Sequence, residues 1–281
     1  KMDLQTIKMI RRVLPQDMPF PYYTDRESAW VLAQLMQGSR AVADLRAGAA
    51  GKLLTRPLVK PLVASCGGTL AARDVLALAH ADRAAGWSDL SPQALAALDP
   101  VFGTAWQDFT LSFAAWGCRC CWRDEQLSRP GSKLVVHLGF PSDHAQVFGR
   151  CFDRSMRRKL EYTGHPIRQD GPPTLAWARL DVDLETGCAL VEEVQCDWLR
   201  FVRWEKMRQA RNGAQDRDMR VLIAYEQALI RHYAKSWPRV MLLAALYVLR
   251  EELGVRDVWM HQHGPGALLK NIDGTLPPRS L

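Results

Sequence analysis

The run Glu192-Glu-Val-Gln-Cys-Asp-Trp198 puts three carboxylates, an amide, a thiol and an indole within seven positions. General acid–base chemistry draws on such a mixture, because a partly buried carboxyl beside other acids gains proton affinity. The run follows Cys188-Ala-Leu-Val191, an apolar stretch of strand character. Side chains two apart share one face of a strand, so Glu193, Gln195 and Asp197 are expected on one side, with Glu192, Val194, Cys196 and Trp198 on the other. A structural role competes with the chemical one: Glu193 and Asp197 would then pair with Arg179 or Arg203 and fix the sheet.

The elements that must position this run are legible around it. Leu175–Asp183 alternates like the second arm, and Leu184-Glu-Thr-Gly187 between them is a turn, so the two arms predict a β-hairpin. Two helices follow, Asp218–Ala234 and Pro238–Leu253. Ser236, Pro238 and Gly254 punctuate the second, and Val240, Leu243, Ala244, Tyr247 and Val248 form its apolar face. Val255–His261 then reads as a strand, and a right-handed crossover would lay it parallel to Ala189–Cys196. The carboxyl ends of those strands would enclose a crevice, with Glu193, Gln195 and Asp197 on one wall and Trp259, His261 and His263 on the other. His261 is a second candidate base. His261-x-His263 with Glu193 or Asp197 also has the residue types of a metal site, but acid–base chemistry is the stronger reading and no metal is expected.

Upstream, residues 1–130 read as a helical region and residues 131–281 as an α/β domain, which together predict an α+β fold. Thr24-Asp-Arg-Glu27 has the form of a capping box before a helix over Ala29–Met36. Further helices are expected over Thr69–Ala85, ended by Gly86, and over Pro92–Leu98 after Ser91, with loops at Gly48–Gly51 and Pro57–Gly68. Leu134–Leu138 is a β-branched strand, Asp143–Leu160 a basic amphipathic helix, and His165–Pro173 a loop.

Composition narrows the class. The chain has 281 residues, 48% of them apolar, and a net charge of +7, which suits a globular protein rather than a disordered one. Its longest apolar run, Val240–Leu249, is too short to span a bilayer, and no signal peptide is recognisable, so a cytoplasmic protein without a membrane span is expected. Basic residues cluster in Arg150–Lys159 and in Arg200–Arg211, where they suit a phosphate-bearing ligand or nucleic acid as well as a solvated helix face. Trp198, Trp204, Trp237 and Trp259 lie near these cations; stacking on a base is one use for them and a place in the core the commoner one. Cys118-x-Cys-Cys121 lacks paired zinc spacing and reads as reduced thiols packed near Trp116 and Trp122. There is no Gly-x-Gly-x-x-Gly or Walker loop.

Two resemblances add to this. The segment from His165-Pro through Leu175-Ala-Trp-Ala-Arg to Glu193-Val-Gln-Cys-Asp-Trp198 resembles a domain of large phage and mobile-element polyvalent proteins with a Glu-Ile-Gln-Ser-Asp-Trp motif; Val194 and Cys196 depart from it, and it carries no activity across. The hairpin, crossover helix, further strand and Gly264-Pro-Gly-Ala-Leu-Leu-Lys270 are similar in order to the back half of GNAT-type acyltransferases, with Ala234-Lys-Ser-Trp-Pro238 standing where that family has a glycine-rich pyrophosphate loop. The second resemblance implies acyl-CoA between parting parallel strands and acyl transfer to an amine on a macromolecule. Glu193 or Asp197 would be the base, with His261 as the alternative. Gln195 and Trp198 would position substrate, with Arg179, Arg203, Trp259 and His263 completing the binding set. A non-catalytic nucleic-acid-binding or interaction module, and a transferase using another nucleotide cofactor such as NAD, are the other two readings.

Overall fold

A computed structural model describes residues 2–82, 90–102, 106–117, 127–144, 146, 158–161, 163–168, 170–213 and 216–270. The chain forms two compact units, one of Pro21–Asp108 and one of Lys1–Phe20 with Phe109–Leu281. Helix α1 (Leu4–Val13) begins at Asp3, whose carboxylate accepts the Thr6 N–H at 2.7 Å, and leads into strand β1 (Met18–Tyr22).

The smaller unit is mainly helical: α2 (Arg26–Leu35), β2 (Arg40–Ala41), α3 (Val42–Ala47), α4 (Lys60–Ser65), β3 (Thr69–Leu70), α5 (Ala72–Ala79) and α6 (Pro92–Phe102). The expected capping box does not form. Asp25 takes the cap position in a left-handed conformation and turns its carboxylate to Arg56 at 2.7 Å, while Glu27 accepts from the Tyr22 hydroxyl. Burial explains the switch, since Asp25 is 2% exposed and a buried carboxylate needs a cation more than a helix needs a side-chain cap. The expected loop Pro57–Gly68 holds α4, with Pro61 in its first turn. The helix expected over Thr69–Ala85 is shortened to α5, because Thr69 and Leu70 pair with Arg40 and Ala41; Gly86 lies outside the described residues. Ser91 caps α6 as expected, its hydroxyl accepting the Ala94 N–H at 3.1 Å.

The larger unit carries β4 (Gln107–Trp116), β5 (Lys133–Gly139), β6 (Thr174–Asp183), β7 (Cys188–Gln195), α7 (Asp197–Arg211), α8 (Asp216–Leu229), α9 (Trp237–Tyr247), β8 (Asp257–Met260) and α10 (His263–Leu269). Its six-stranded mixed sheet has the order β1-β4-β5-β6-β7-β8, antiparallel from β4 to β7 and parallel between β7 and β8. The hairpin and the parallel partner of β7 are thus both where the residues predicted them. The first 130 residues are not wholly helical, because β1 and β4 belong to this sheet, and the units divide at residues 20/21 and 108/109 rather than at 130. Helix α9 covers one face, burying Val240, Met241, Leu243 and Ala244 over β5, β6 and β7. The strand residues beneath it include Leu134, Val136, Leu138, Ala178 and Leu180, each at 0% exposure; burying a Leu or Val side chain contributes about 1.5–3 kcal/mol, enough to hold this layer without polar help. Of the helix expected over Asp143–Leu160, residues 145 and 147–157 lie outside the described residues.

The hairpin turn sets the start of β8 as well as of β7. Asp183 Oδ1 accepts the amides of Glu185 and Thr186, Gly187 adopts φ 69°, and the Gly187 carbonyl accepts the amides of Arg256 and Asp257. A Cβ on Gly187 would lie 3.1 Å from Arg256 Nε, in a backbone conformation that L-residues adopt at a cost. Gly187→Ala is therefore expected to lower stability by about 1–2 kcal/mol. Thermal denaturation would show this as a drop of about 2–4 °C per kcal/mol, and an unchanged Tm would contradict the account.

Candidate functional site

The alternation expected for Glu192–Trp198 is broken twice, and both breaks have physical causes. The register passes from Arg179 opposite Glu193 to Leu180 opposite Val191, so Glu192 is the extra residue of a β-bulge. The bulge brings two consecutive carboxylates to one guanidinium: Arg179 Nε donates to Glu192 Oε2 at 2.7 Å, and its NH2 group donates to Glu193 Oε2 at 2.5 Å. Arg179 is 1% exposed and lies 5.9 Å from the Trp177 ring centroid, above an apolar patch of Trp116, Leu127, Val135 and Trp177. Burial pushes the Glu192 carboxyl up, but the charge of Arg179 and hydrogen bonds from Ser128 outweigh this and hold it below its ordinary value. Arg179 is thus a structural cation rather than a ligand contact.

The second break is at the strand end. Asp197 is not on β7 but is the first residue of α7, an element that reading the hairpin alone leaves out. Its Oδ2 takes hydrogen bonds from His165 Nδ1 at 2.8 Å and Trp177 Nε1 at 3.0 Å, and Oδ1 pairs with Arg200. Burial favours protonation, yet the bonds from His165 and Trp177 and the charge of Arg200 prevail and lower its proton affinity. Cys196 stands between the two elements, its thiol pushed up to about 12 by burial, so it offers no nucleophile at neutral pH. Trp198 is core rather than a substrate contact: it is 2% exposed and donates to the Tyr225 hydroxyl at 2.8 Å.

Beyond Val191 and Met260 the pairing of β7 with β8 stops, because the chain leaves β8 for α10 while β7 runs on to Gln195. A cleft of about 1050 Å³ opens at this point, bounded by Val191–Cys196, by Met260, His261, Gln262, Gly264 and Lys270, and by Arg203, Glu226 and Trp237 from the helices. Ligands of open sheets with parallel strands gather at such carboxyl ends. Glu193 faces the cleft with both oxygens occupied, Oε2 by Arg179 and by Lys270 at 3.5 Å, and Oε1 by the Gln195 amide nitrogen. That bond leaves Gln195 Oε1 buried with no hydrogen-bond partner among the described residues. His261 lines the same cleft, with Nε2 2.8 Å from Ser128 Oγ, and Ser128 in turn meets Glu192 Oε1 at 2.6 Å through both its amide and its hydroxyl. Burial, then the charge of Lys270, lowers the proton affinity of His261 and keeps its ring neutral at pH 7. Lys270 donates to the Glu192 carbonyl at 2.7 Å; burial depresses its own proton affinity.

Compared with known proteins, the chain matches no known family, no curated protein and no solved structure. The site therefore has to be judged on its own geometry.

Glu193, Gln195, His261 and Arg203 are brought together at the cleft, while Asp197, Trp198 and Arg179 do not line it and are held by hydrogen-bond partners of their own. Trp259 stands on β8 with 65% exposure. His263 begins α10 instead of continuing β8, so it does not share a strand face with His261, and its side chain lies outside the described residues. Among the described residues no group of three His, Cys, Asp or Glu is arranged for a metal ion. Of the four tryptophans, Trp198 and Trp237 are buried and Trp204 and Trp259 are not. Arg150, Arg154, Arg157 and Cys118–Cys121 lie outside the described residues. In the other basic cluster three cations are spent internally, Arg200 on Asp197, Lys206 on Glu226 and Arg208 on Glu205; Arg203 has no ion pair among the described residues. No helix is long and apolar enough to cross a membrane, among the residues searched. Ser128, Glu192 and Lys270 are the site residues that strand alternation missed. Glu192 stood in the acid-rich run but on the opposite expected face, Lys270 was the last residue of the Gly264–Lys270 stretch, and Ser128 carried no signal.

Arg179→Met would leave two carboxylates sharing less positive charge in a buried place, at a cost of about 3–5 kcal/mol at pH 7. The Glu192 carboxyl is depressed below 4.5 in the folded state, so the stability it contributes is full at neutral pH and is lost as pH falls through that lowered value. The penalty of Arg179→Met should accordingly shrink in acid, where Glu192 takes up a proton and no longer needs the cation. Urea denaturation of parent and variant between pH 7 and 4 would check both the size and the sign. Asp197→Asn should cost less, about 1–3 kcal/mol, since it strands hydrogen bonds and the cation it releases, Arg200, is 58% exposed.

Proposed function

We propose that this protein is an acyl-transferring enzyme of GNAT-like plan, holding an extended acyl donor such as acyl-CoA in the cleft and passing the acyl group to an amine. The observation that carries the reading is the cleft opening where the parallel pairing of β7 and β8 ends. Past Val191 this edge of β7 has no neighbouring strand among the described residues, so a donor rich in amide groups can lie along it as an added strand would. The unpartnered Gln195 Oε1 asks for a donor N–H, which an amide or an amine supplies. Arg203 at the cleft offers a cation to a phosphate group.

In this reading His261, rather than Glu193 or Asp197, takes the proton. An efficient base is unprotonated at working pH and has a free lone pair, whereas Glu193 is bonded at both oxygens and Asp197 is held as a weakly basic anion. The amine nitrogen attacks the thioester carbonyl, its proton passes to His261, the C–S bond breaks, and the leaving thiolate takes up the proton that His261 returns through water, which restores the neutral ring. The departure from the GNAT pattern at Ala234–Pro238 means that the pyrophosphate is met by side chains such as Arg203 in place of a glycine-rich loop. The nucleic-acid reading is weaker because most of the Arg200–Arg211 charge is already neutralised within the chain.

Acetyl-CoA titrated into the protein by calorimetry is expected to bind with a Kd between about 1 µM and 1 mM, the span usual for enzyme substrates. Arg203→Ala should weaken binding about tenfold, the worth of one charged hydrogen bond, with Tm unchanged. His261→Gln should leave donor binding intact and cut acyl transfer by about 10²–10⁴-fold. Absence of binding by the parent protein would remove the proposal.

A further inference from the structure

The hydrogen bonds around Ser128 decide more than its position. Glu192 carries a negative charge, paired with Arg179, so its oxygens only accept. A serine hydroxyl has one proton, and Ser128 Oγ lies 2.6 Å from Glu192 Oε1 and 2.8 Å from His261 Nε2. A 2.6 Å oxygen–oxygen contact is the length of a charge-assisted O–H···O⁻ bond, whereas two lone pairs at that separation would repel. The Ser128 proton therefore points at Glu192. The lone pairs that remain on Ser128 Oγ can only accept, and the hydrogen bond to His261 is complete only if Nε2 carries the proton.

We infer that Ser128, backed by Glu192, is a positioning residue that fixes His261 in its Nε2–H tautomer and leaves Nδ1 as the proton-accepting atom at the cleft. The use of Nδ1 in acyl transfer rests on the reading of His261 as the base; the tautomer does not. Two further features hold the ring. The Ser128 amide also donates to Glu192 Oε1, so the carboxylate is anchored to the same residue whose hydroxyl it receives. Gly266 packs on the ring, a Cβ there falling 2.7 Å from His261 Cβ and 3.2 Å from Cγ. The charged groups that act on His261 are Lys270 and Arg129, which disfavour its protonation, and Glu192, which favours it. Burial, the largest influence, acts with Lys270 and Arg129 to lower the proton affinity of the ring and so favours the neutral imidazole, the state in which a tautomer is defined.

Long-range ¹H–¹⁵N correlation on histidine-labelled protein reads this directly, with His261→Gln assigning the signal among the seven histidines. At neutral pH His261 should show a protonated, pyrrole-type Nε2 and an unprotonated, pyridine-type Nδ1, without averaging. Ser128→Ala keeps the backbone amide bond to Glu192 and removes the hydroxyl, so both ring shifts should move toward an average of tautomers; Ser128→Thr should preserve the parent pattern. A parent spectrum with the proton on Nδ1, or with averaged shifts, would overturn the inference, and so would a folded Ser128→Ala protein whose ring shifts are unchanged. Should Ser128→Ala not fold, the parent spectrum and Ser128→Thr decide. Because no acyl donor is present, failure here is distinct from failure of acetyl-CoA to bind.

Discussion

The buried guanidinium of Arg179 is the constraint around which the strand ends are arranged. A cation 1% exposed has lost its hydration and must be surrounded by acceptors, and one glutamate cannot supply them all. Two successive glutamates can, provided the strand is kinked so that both reach one side, and the bulge at Glu192 does this. The same kink turns the Glu192 carbonyl to Lys270 and its other carboxylate oxygen to Ser128. Ser128, Lys270 and through them His261 are thus tied to the edge of β7 by a network that starts from one arginine. Such a network is costly to assemble and costly to break, which gives the cleft walls a fixed geometry.

Fixed walls matter because the cleft lies where the sheet stops. From Cys188 to Val191 the backbone of β7 is paired on both sides, and beyond Val191 only the β6 side is paired among the described residues. The open edge would be a liability if it were long and apolar. Here it is short, carries Glu193 and Gln195, and is overhung by the start of α7 and by α10. A polar edge of this length is a poor place to pair with another sheet.

Much of this framework could be read from residue order, and the failures have a common form. The hairpin, its Gly187 turn, and the parallel pairing of β7 with β8 follow from periods and turn residues, which are local. The cleft position follows from them. What could not be read is who answers each charge: Ser128 meets Glu192 across 64 residues and His261 across 133, and no period in the chain encodes either contact. Asp197 was misplaced for a different reason. An acid can close a strand or open a helix, and alternation cannot tell these apart until the helical run Asp197–Arg211 is recognised as one element. The Thr24–Glu27 pattern failed as a cap because Asp25 and Glu27 found tertiary partners in Arg56 and Tyr22, which a local signature cannot foresee.

The acid-rich run drew notice as chemistry because carboxylates at a strand end are uncommon, yet each acid in it proves to be satisfied. Glu192, Glu193 and Asp197 all carry cation partners, and Glu192 and Asp197 are held below their ordinary proton affinity, the reverse of what a general base or a proton-donating acid at neutral pH requires. The cluster still bears on reactivity, but indirectly. By fixing Ser128 it fixes the orientation of a histidine that the run does not contain, whose proton affinity is lowered chiefly by burial. A motif dense in ionisable residues can therefore mark the scaffold of a site, while the histidine read above as the base stands across the cleft, and its tie to that scaffold through Ser128 is recognisable only once the strands are paired.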